Sequence, residues 1–557
     1  MASLFMRRLA ALTVAVTLGV AAPAVRSQAD VPLPNPPQFP FENPLLPDQD
    51  TLGKFLFWEE QLSHDGTMAC GTCHIHEFGG SDPRSSLGNP HPGPDGLFGT
   101  ADDVAGSPGV VRNGVGTGFV HDAVFGVDVQ VTPRKAPTTI NSVYFTDLFW
   151  DGRATQAFTD PQTGLAAIGY LGALESQAAD PPASSVEMGA DGIDWDDIAL
   201  RIRFAKPGAL MTDLPPEMAD FLGNHPTYPS MFNAVYGDPA VTSERILFAI
   251  GNYERTLISD QTALDDFLKG VTPSLPPEFQ PGFDLFQGAA NCSACHVLPF
   301  AMDNDYHNIG VRPDAEDIGR QAVTGMPADI ARFKTPQIRN AALRGNLMHN
   351  GGLATVRDVI EFYDRGGDFP GPNLDVNIQP LNLTPHELDD LEHFVANGML
   401  DARVANNVFP FSRPTLHSEL ASLNFEYGVA SLDGSGGTAE LIGHQPGYPN
   451  HKNFTVGVSD AVPNTGAIVL FSLAPDLAAT PFPNPAFPVP MNIDLGTIFL
   501  DVITVTDGAG VSSFRLPLPN NPSVSGITLY VQWFIGDPTA VATGGVYGTK
   551  GLAVEIL

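Results

Sequence analysis

Only four cysteines occur in 557 residues, and 28 lysines and arginines face 62 acidic residues. The formal net charge of −34 argues against nucleic acid or an anionic membrane surface as a partner. Long apolar runs are also missing. One stretch near the N-terminus, residues 9–20, stands out but is short for a bilayer span, and no other run is long enough. Charged residues make up only 16% of the chain. With 56 glycines and 51 prolines, long loops are expected, while 43% hydrophobic residues can build real cores. The composition is loop-rich and of an extracellular type rather than disordered. The length suggests three or four domains.

The start of the chain has the pattern of an export signal. Arg7 and Arg8 precede the apolar run, and small residues up to Ala29 follow it. Residues 1–29 are therefore expected to be a signal peptide and 30–47 a Pro-rich linker, giving a periplasmic or secreted protein with no transmembrane segment after signal removal.

All four cysteines fall in two short strings, Cys70-Gly71-Thr72-Cys73-His74 and Cys292-Ser293-Ala294-Cys295-His296. C-x-x-C-H is the attachment signature of a c-type haem. Two thiols add to the vinyl groups of one porphyrin edge, and the following histidine ligates the iron. A zinc site, a redox dithiol and a disulfide are the alternatives. An all-cysteine zinc site needs no histidine after each pair, and a redox dithiol needs no second copy. Two covalent haems are expected, with His74 and His296 as iron ligands.

Longer strings surround these motifs. Residues 52–74 (LGKFLFWEEQLSHDGTMACGTCH), 134–141 (RKAPTTIN), 149–154 (FWDGRA) and 333–340 (FKTPQIRN) together resemble bacterial di-haem cytochrome c peroxidases and their MauG-like relatives, over about residues 48–400. The resemblance implies roles for particular residues. Trp150 matches a tryptophan that lies between the two haems and couples them. Gln177 and Glu187 match distal-pocket residues. A carboxylate there can take the proton that peroxide sheds and return it to the departing oxygen, while a glutamine can donate a hydrogen bond without titrating. Pro181 matches a proline lining that pocket in MauG-like members. His349, in Met348-His349-Asn350-Gly351, matches the family's FHDG turn, with Asn350 for Asp.

Fourteen residues beyond His349, where typical peroxidases carry a methionine that ligates the second iron, this chain has Tyr363. MauG-like enzymes also use tyrosine. A phenolate is hard and anionic and favours oxidised iron; a thioether is soft and favours the reduced state. The family also holds calcium between its haem domains through the asparagine of RNAPT. Lys135 stands at that position, and an ammonium cannot ligate calcium but can satisfy the same carbonyls, near Arg344 and Asn346. A separate calcium site near Asp95, Asp102 and Asp103 is the alternative to a plain Asx-Gly turn there. His91 and His121, in the same Gly-rich insertion, are candidate sixth ligands of the first haem.

The fold expected is a mainly α haem portion of two cytochrome c-like domains, residues 48–240 and 241–404, followed by an all-β sandwich at 405–557. Helices are expected within 51–60, 195–206, 242–269 and 279–290, and one opening at the Thr384-Pro385-His386-Glu387 cap. The C-terminal part has alternating apolar runs punctuated by turn signals, and no catalytic constellation is visible in it. The function implied is an exported peroxidase that reduces hydrogen peroxide with electrons from a small cytochrome c or cupredoxin, or that oxidises a protein or organic substrate as MauG does. A non-catalytic di-haem electron carrier is the alternative.

Overall fold

The computed structural model describes residues 36–86, 90–420, 424–484 and 486–557. The expected signal peptide and residues 30–35 of the linker lie outside the described residues. Among the described residues no helix is long and apolar enough to cross a membrane.

Two helical cores precede a β-rich C-terminal part. The first is built on α1 (Gln49–Phe57), where Leu52, Phe55 and Leu56 fall on one face and are fully buried. It gathers α2 (Ala173–Ala178), α3 (Trp195–Phe204), α4 (Pro216–Asn224), α5 (Tyr228–Tyr236) and α6 (Ser243–Glu254). Thr242 caps α6 by accepting from the Arg245 amide. Ile246, Leu247, Ile250 and Tyr253 of α6 pack with the α1 residues in this core. The first core thus takes the helix that a boundary at residue 240 would give to the second, because α6 lays its apolar face on α1.

The helical pattern at 242–269 breaks after Glu254. A new helix, α7 (Ala263–Leu268), starts only at a Thr262–Asp265 capping box. With α8 (Gln280–Gln287), α9 (Val356–Asp364) and α10 (Pro385–His393) it forms the second core, around Phe283, Phe286, Ile360, Leu391 and Phe394. The α10 cap has the expected form: Thr384 accepts from the Glu387 amide, and Pro385 opens the helix. The chain then returns to the first core, where Val404, Phe411 and Leu416 are buried and Thr415–Leu416 pairs with Met211–Thr212.

Beyond residue 424 the chain is mainly strands. They are β1 (Phe425–Tyr427), β2 (Glu440–Ile442), β3 (Thr455–Ser459), β4 (Gly466–Ser472), β5 (Pro475–Pro481), β6 (Pro490–Ile493), β7 (Ile498–Val505), β8 (Ser512–Arg515), β9 (Thr528–Gly536), β10 (Val546–Gly548) and β11 (Gly551–Glu555). One antiparallel sheet runs β1-β11-β9-β4-β7 with β10 also on β9, and another runs β2-β3-β8. In β4, Ala467, Val469 and Phe471 alternate inward. They meet Val456 and Val458 of β3 and Trp533 of β9 in one core between the sheets. This unit is fastened to the first helical region. Asn453 Nδ2 donates to the His64 carbonyl (3.2 Å), Asn450 Nδ2 to the Phe204 carbonyl (2.9 Å), and Val111 and Phe119 pack on Ile442 and Val511.

A buried ion pair holds α2 to α6. Arg255 and Glu175, 1% and 0% exposed, bond in a bidentate way at 2.7 and 2.9 Å. Asn43 Nδ2 donates to the same carboxylate at 2.7 Å. Removing one member of such a pair strands a buried charge. Glu175→Ala is expected to cost about 3–5 kcal/mol, read as the shift in denaturant midpoint of the haem-loaded protein.

Candidate active site

Three cavities meet at one side chain. The first encloses about 770 Å³, the second about 170 Å³ and the third about 110 Å³, and Trp150 lines all of them. Its place is fixed by a hydrogen bond from the indole Nε1 to the Lys135 carbonyl (2.8 Å). The turn that carries it needs Gly152. There φ is +70°, and a Cβ would run into the Tyr306 hydroxyl.

The first cavity brings together Cys70, Cys73, His74, Gln177, Pro181 and Glu187. Gln177 comes from the last turn of α2, Pro181 from the 3₁₀ turn that follows it. Glu187 lies on a loop held by the strand Pro108–Val111, since the Val110 amide donates to the Val186 carbonyl (3.0 Å). Gly109 permits this approach, because a Cβ there would strike that carbonyl. Burial pushes the Glu187 carboxyl above its ordinary pKa, with Arg153 and a hydrogen bond from Ser184 opposing. Arg153 itself lies 3.4 Å over the Phe149 ring.

Cys292, His296 and Tyr363 line both the second and the third cavity, and Cys295 the third. Tyr363 is on α9, a helix whose other face is in the second core. Burial pushes its phenol above the ordinary range, the two cysteines adding to the effect. His349 lines the first and third cavities. It is stacked on Phe333 at 3.7 Å and depressed to about 4 by burial.

The residues present fit two haems. None of the four cysteines is in a disulfide, which leaves each thiol available for a thioether bond. His74 Nδ1 lies 3.2 Å from the Gly80 carbonyl and His296 Nδ1 2.9 Å from the Ala301 carbonyl. A carbonyl can only accept, so each Nδ1 carries the proton and each Nε2 is left basic, as an iron ligand must be. Lys334 and Arg344 line the second cavity and are depressed by burial to about 7 and about 10. Thr139 Oγ1 and Ser142 Oγ, on the same wall, are buried with no hydrogen-bond partner. Cations and idle hydroxyls of this kind suit the carboxylates of a porphyrin.

The residues at Lys135 do not fit a divalent ion. The ammonium itself donates to the carbonyls of Gly345 and Asp82 (3.3 Å for Asp82) and to Ser85 Oγ (3.1 Å). Around Asp95 the carboxylates are turned onto the loop: Asp95 accepts from the Leu97 amide, Asp102 from the Asp95 amide, and Asp103 from the Gly99 amide. His91 reaches the wall of the first cavity. His121 is on none of the three walls.

Against this geometry, the comparisons with known proteins are specific. Residues 47–272 match the family model for di-haem cytochrome c peroxidase. The chain is 29% identical to cytochrome-c peroxidase IdrP1 of Denitromonas iodatirespirans, over 69% of this chain and 91% of that one. It is 27% identical to the methylamine utilization protein MauG of Methylorubrum extorquens, over 64% and 79%. The chain is similar to di-haem cytochrome c peroxidases and to MauG proteins. Among solved structures it is similar to a MauG-like protein associated with microbial copper homeostasis, with a TM-score of 0.47, 24% identity, and 69% of this chain and 97% of that one covered.

Several side chains of this di-haem site escape a reading of motifs. Lys334 sits inside a quoted string but looks like a surface cation until the fold buries it, and Arg344, named above beside Lys135, borders the second cavity as well. Glu254, at the end of α6, lines the first two cavities. Burial pushes it up to about 8, and its Oε2 has no partner. No sequence signal marks it.

Cys295, Asp303 and His307 are the one group of three metal-ligating side chains among the described residues. A thioether bond at Cys295 would take its sulfur out of the set, and His307 is already clamped between Asp303 (3.0 Å) and Asp375 (2.7 Å). The imidazole is pushed up to about 11, first by the hydrogen bond to Asp303, then by Cys295 and Asp375, against burial. A pKa raised from 6.5 stabilises the fold below that value, and the contribution is lost as pH rises through the folded value. Haem attachment removes the Cys295 contribution, which moves the folded value below 11. The melting temperature of wild type minus that of His307→Asn is therefore expected to be largest at pH 6 and to shrink steadily as the pH is raised.

Proposed function

We propose that this chain is an exported di-haem peroxidase, built from two cytochrome c-like domains, that reduces hydrogen peroxide to water. The relatives named cytochrome-c peroxidase and cytochrome c551 peroxidase support the reaction. The observation that carries it is local: one roomy cavity joins His74 to a buried carboxyl, Glu187, and an amide, Gln177. In the overall step, hydrogen peroxide takes two electrons and two protons and leaves as two waters. Each haem, when bound, supplies an iron that exchanges one electron at a time.

The protein's own part is to move protons and fix positions. Glu187 takes the proton that peroxide sheds on binding and returns it to the departing oxygen, which leaves as water. Burial raises its pKa, which favours holding the proton for that return. Gln177 donates a hydrogen bond without changing charge. Pro181 offers no donor and no ligand, which leaves room for peroxide. Trp150, common to all the cavities, is the conduit between the two haems.

Tyr363 and His296 would hold the iron of the second haem, and a bound ferric iron would supply the positive charge that a buried phenol needs in order to ionise. Such a ligand makes the second site a poor store of a reducing electron and favours sharing oxidising equivalents, as expected of a MauG-like member. The electron donor is a small cytochrome c or cupredoxin, and the acidic chain suits a basic partner.

Two measurements test this. Glu187→Gln is expected to lower kcat/KM for peroxide by about 10²- to 10⁴-fold with both haems still covalently attached by mass spectrometry; unchanged turnover removes the assigned acid–base role. Tyr363→Met is expected to raise the potential of the second haem in a spectroelectrochemical titration and leave cyanide binding at the first unaltered. A pure electron carrier would bind cyanide at neither haem.

A further inference from the structure

Lys135 is where the two haem-binding regions meet. Its backbone serves both. The amide donates to the His349 carbonyl (2.8 Å), and the carbonyl accepts from the Trp150 indole (2.8 Å). The residue is 4% exposed, and its side chain crosses the seam. The Nζ acceptors come from both sides: the Asp82 carbonyl and Ser85 Oγ from the turn after the first haem motif, and the Gly345 carbonyl from the segment before His349. An ammonium has three N–H donors, and here each has an acceptor. Nζ forms no ion pair among the described residues. Its charge is met by oriented dipoles, as that of a bound cation would be. Two neighbours stitch the same seam: Asn346 Nδ2 donates to the Ser85 carbonyl (3.2 Å) and Arg344 Nε to the Gly79 carbonyl (3.3 Å).

We infer that Lys135 is a positioning residue whose ammonium is a built-in cation: it clamps the seam between the haem-binding regions and so holds Trp150 in place, and the protein needs no divalent ion there. The inference rests on the reading of Trp150 as the conduit. Withdrawing the ammonium leaves three acceptors facing one another across the seam. The segment that carries Trp150 then loses its anchor on the Gly345 side, while the first cavity's Gln177 and Glu187, which Lys135 does not bond, keep theirs.

The test uses the full-length di-haem protein at pH 6.5, where the ammonium is charged. Lys135→Met, Trp150→Phe and the double variant are reduced by one electron, and the rate of electron transfer between the haems is followed by stopped-flow absorbance. Lys135→Met is expected to slow that rate on the order of 10²-fold, with cyanide binding at the first haem unchanged. Trp150→Phe is expected to slow it similarly, and the double variant no further, since both act on one contact. A wild-type rate in Lys135→Met while Trp150→Phe is slow overturns the inference and leaves the conduit reading standing. A wild-type rate in Trp150→Phe overturns the conduit reading and this inference with it.

A second arm needs no variant. EGTA and added calcium are expected to leave the melting temperature and inter-haem rate of the wild-type protein unchanged. Loss of either on chelation, regained with calcium, overturns the inference.

Discussion

One hydrogen bond organises the haem portion of this protein: the Trp150 indole N–H to the Lys135 carbonyl. Trp150 lines each of three cavities that together reach both C-x-x-C-H motifs. Its ring meets the His349 ring edge-on at 6.2 Å, and the hydrogen bond fixes its polar end. The acceptor is itself anchored, because Lys135 is tied through its amide to His349 and through its ammonium to both sides of the seam. The residue that buries a charge at the junction is therefore also the one that orients the aromatic between the sites.

The two sites are unequal, and the asymmetry is one of wall chemistry. The first cavity is large and carries a carboxyl whose pKa burial has raised. The second is narrow, bordered by Lys334, Arg344 and idle hydroxyls, and contains a phenol. Such walls divide the labour proposed here. A roomy site with a group that can hold and return a proton suits a small substrate, and the tight site bordered by cations and a phenol offers it less room.

The helical and β-rich parts are not independent. The Gly-rich insertion that supplies strand Pro108–Val111 behind the Glu187 loop also sends Val111 and Phe119 into a small core with Ile442 and Val511. Packing against the C-terminal unit thus supports the strand on which the position of Glu187 depends, a mechanical role that asks for no chemistry of its own.

The sequence by itself determined where the proposed attachment points lie. Covalent haem requires two thiols and a histidine at one fixed spacing, so Cys70, Cys73, His74, Cys292, Cys295 and His296 are legible without a fold. Capped helices such as the one at Thr384 and the alternating β runs were legible too, because local periodicity and capping are short-range. The strings also named Trp150, Gln177, Glu187 and Tyr363, but only through likeness to a family. What only the tertiary structure decided depends on contacts between residues far apart in the chain. The core to which α6 belongs, the burial that raises Glu187 and Glu254, the cations and hydroxyls facing the second cavity, and the three acceptors around the Lys135 ammonium all arise this way. A side chain's pKa and its unmet hydrogen bonds are properties of its surroundings, and no run of neighbours in the sequence encodes them.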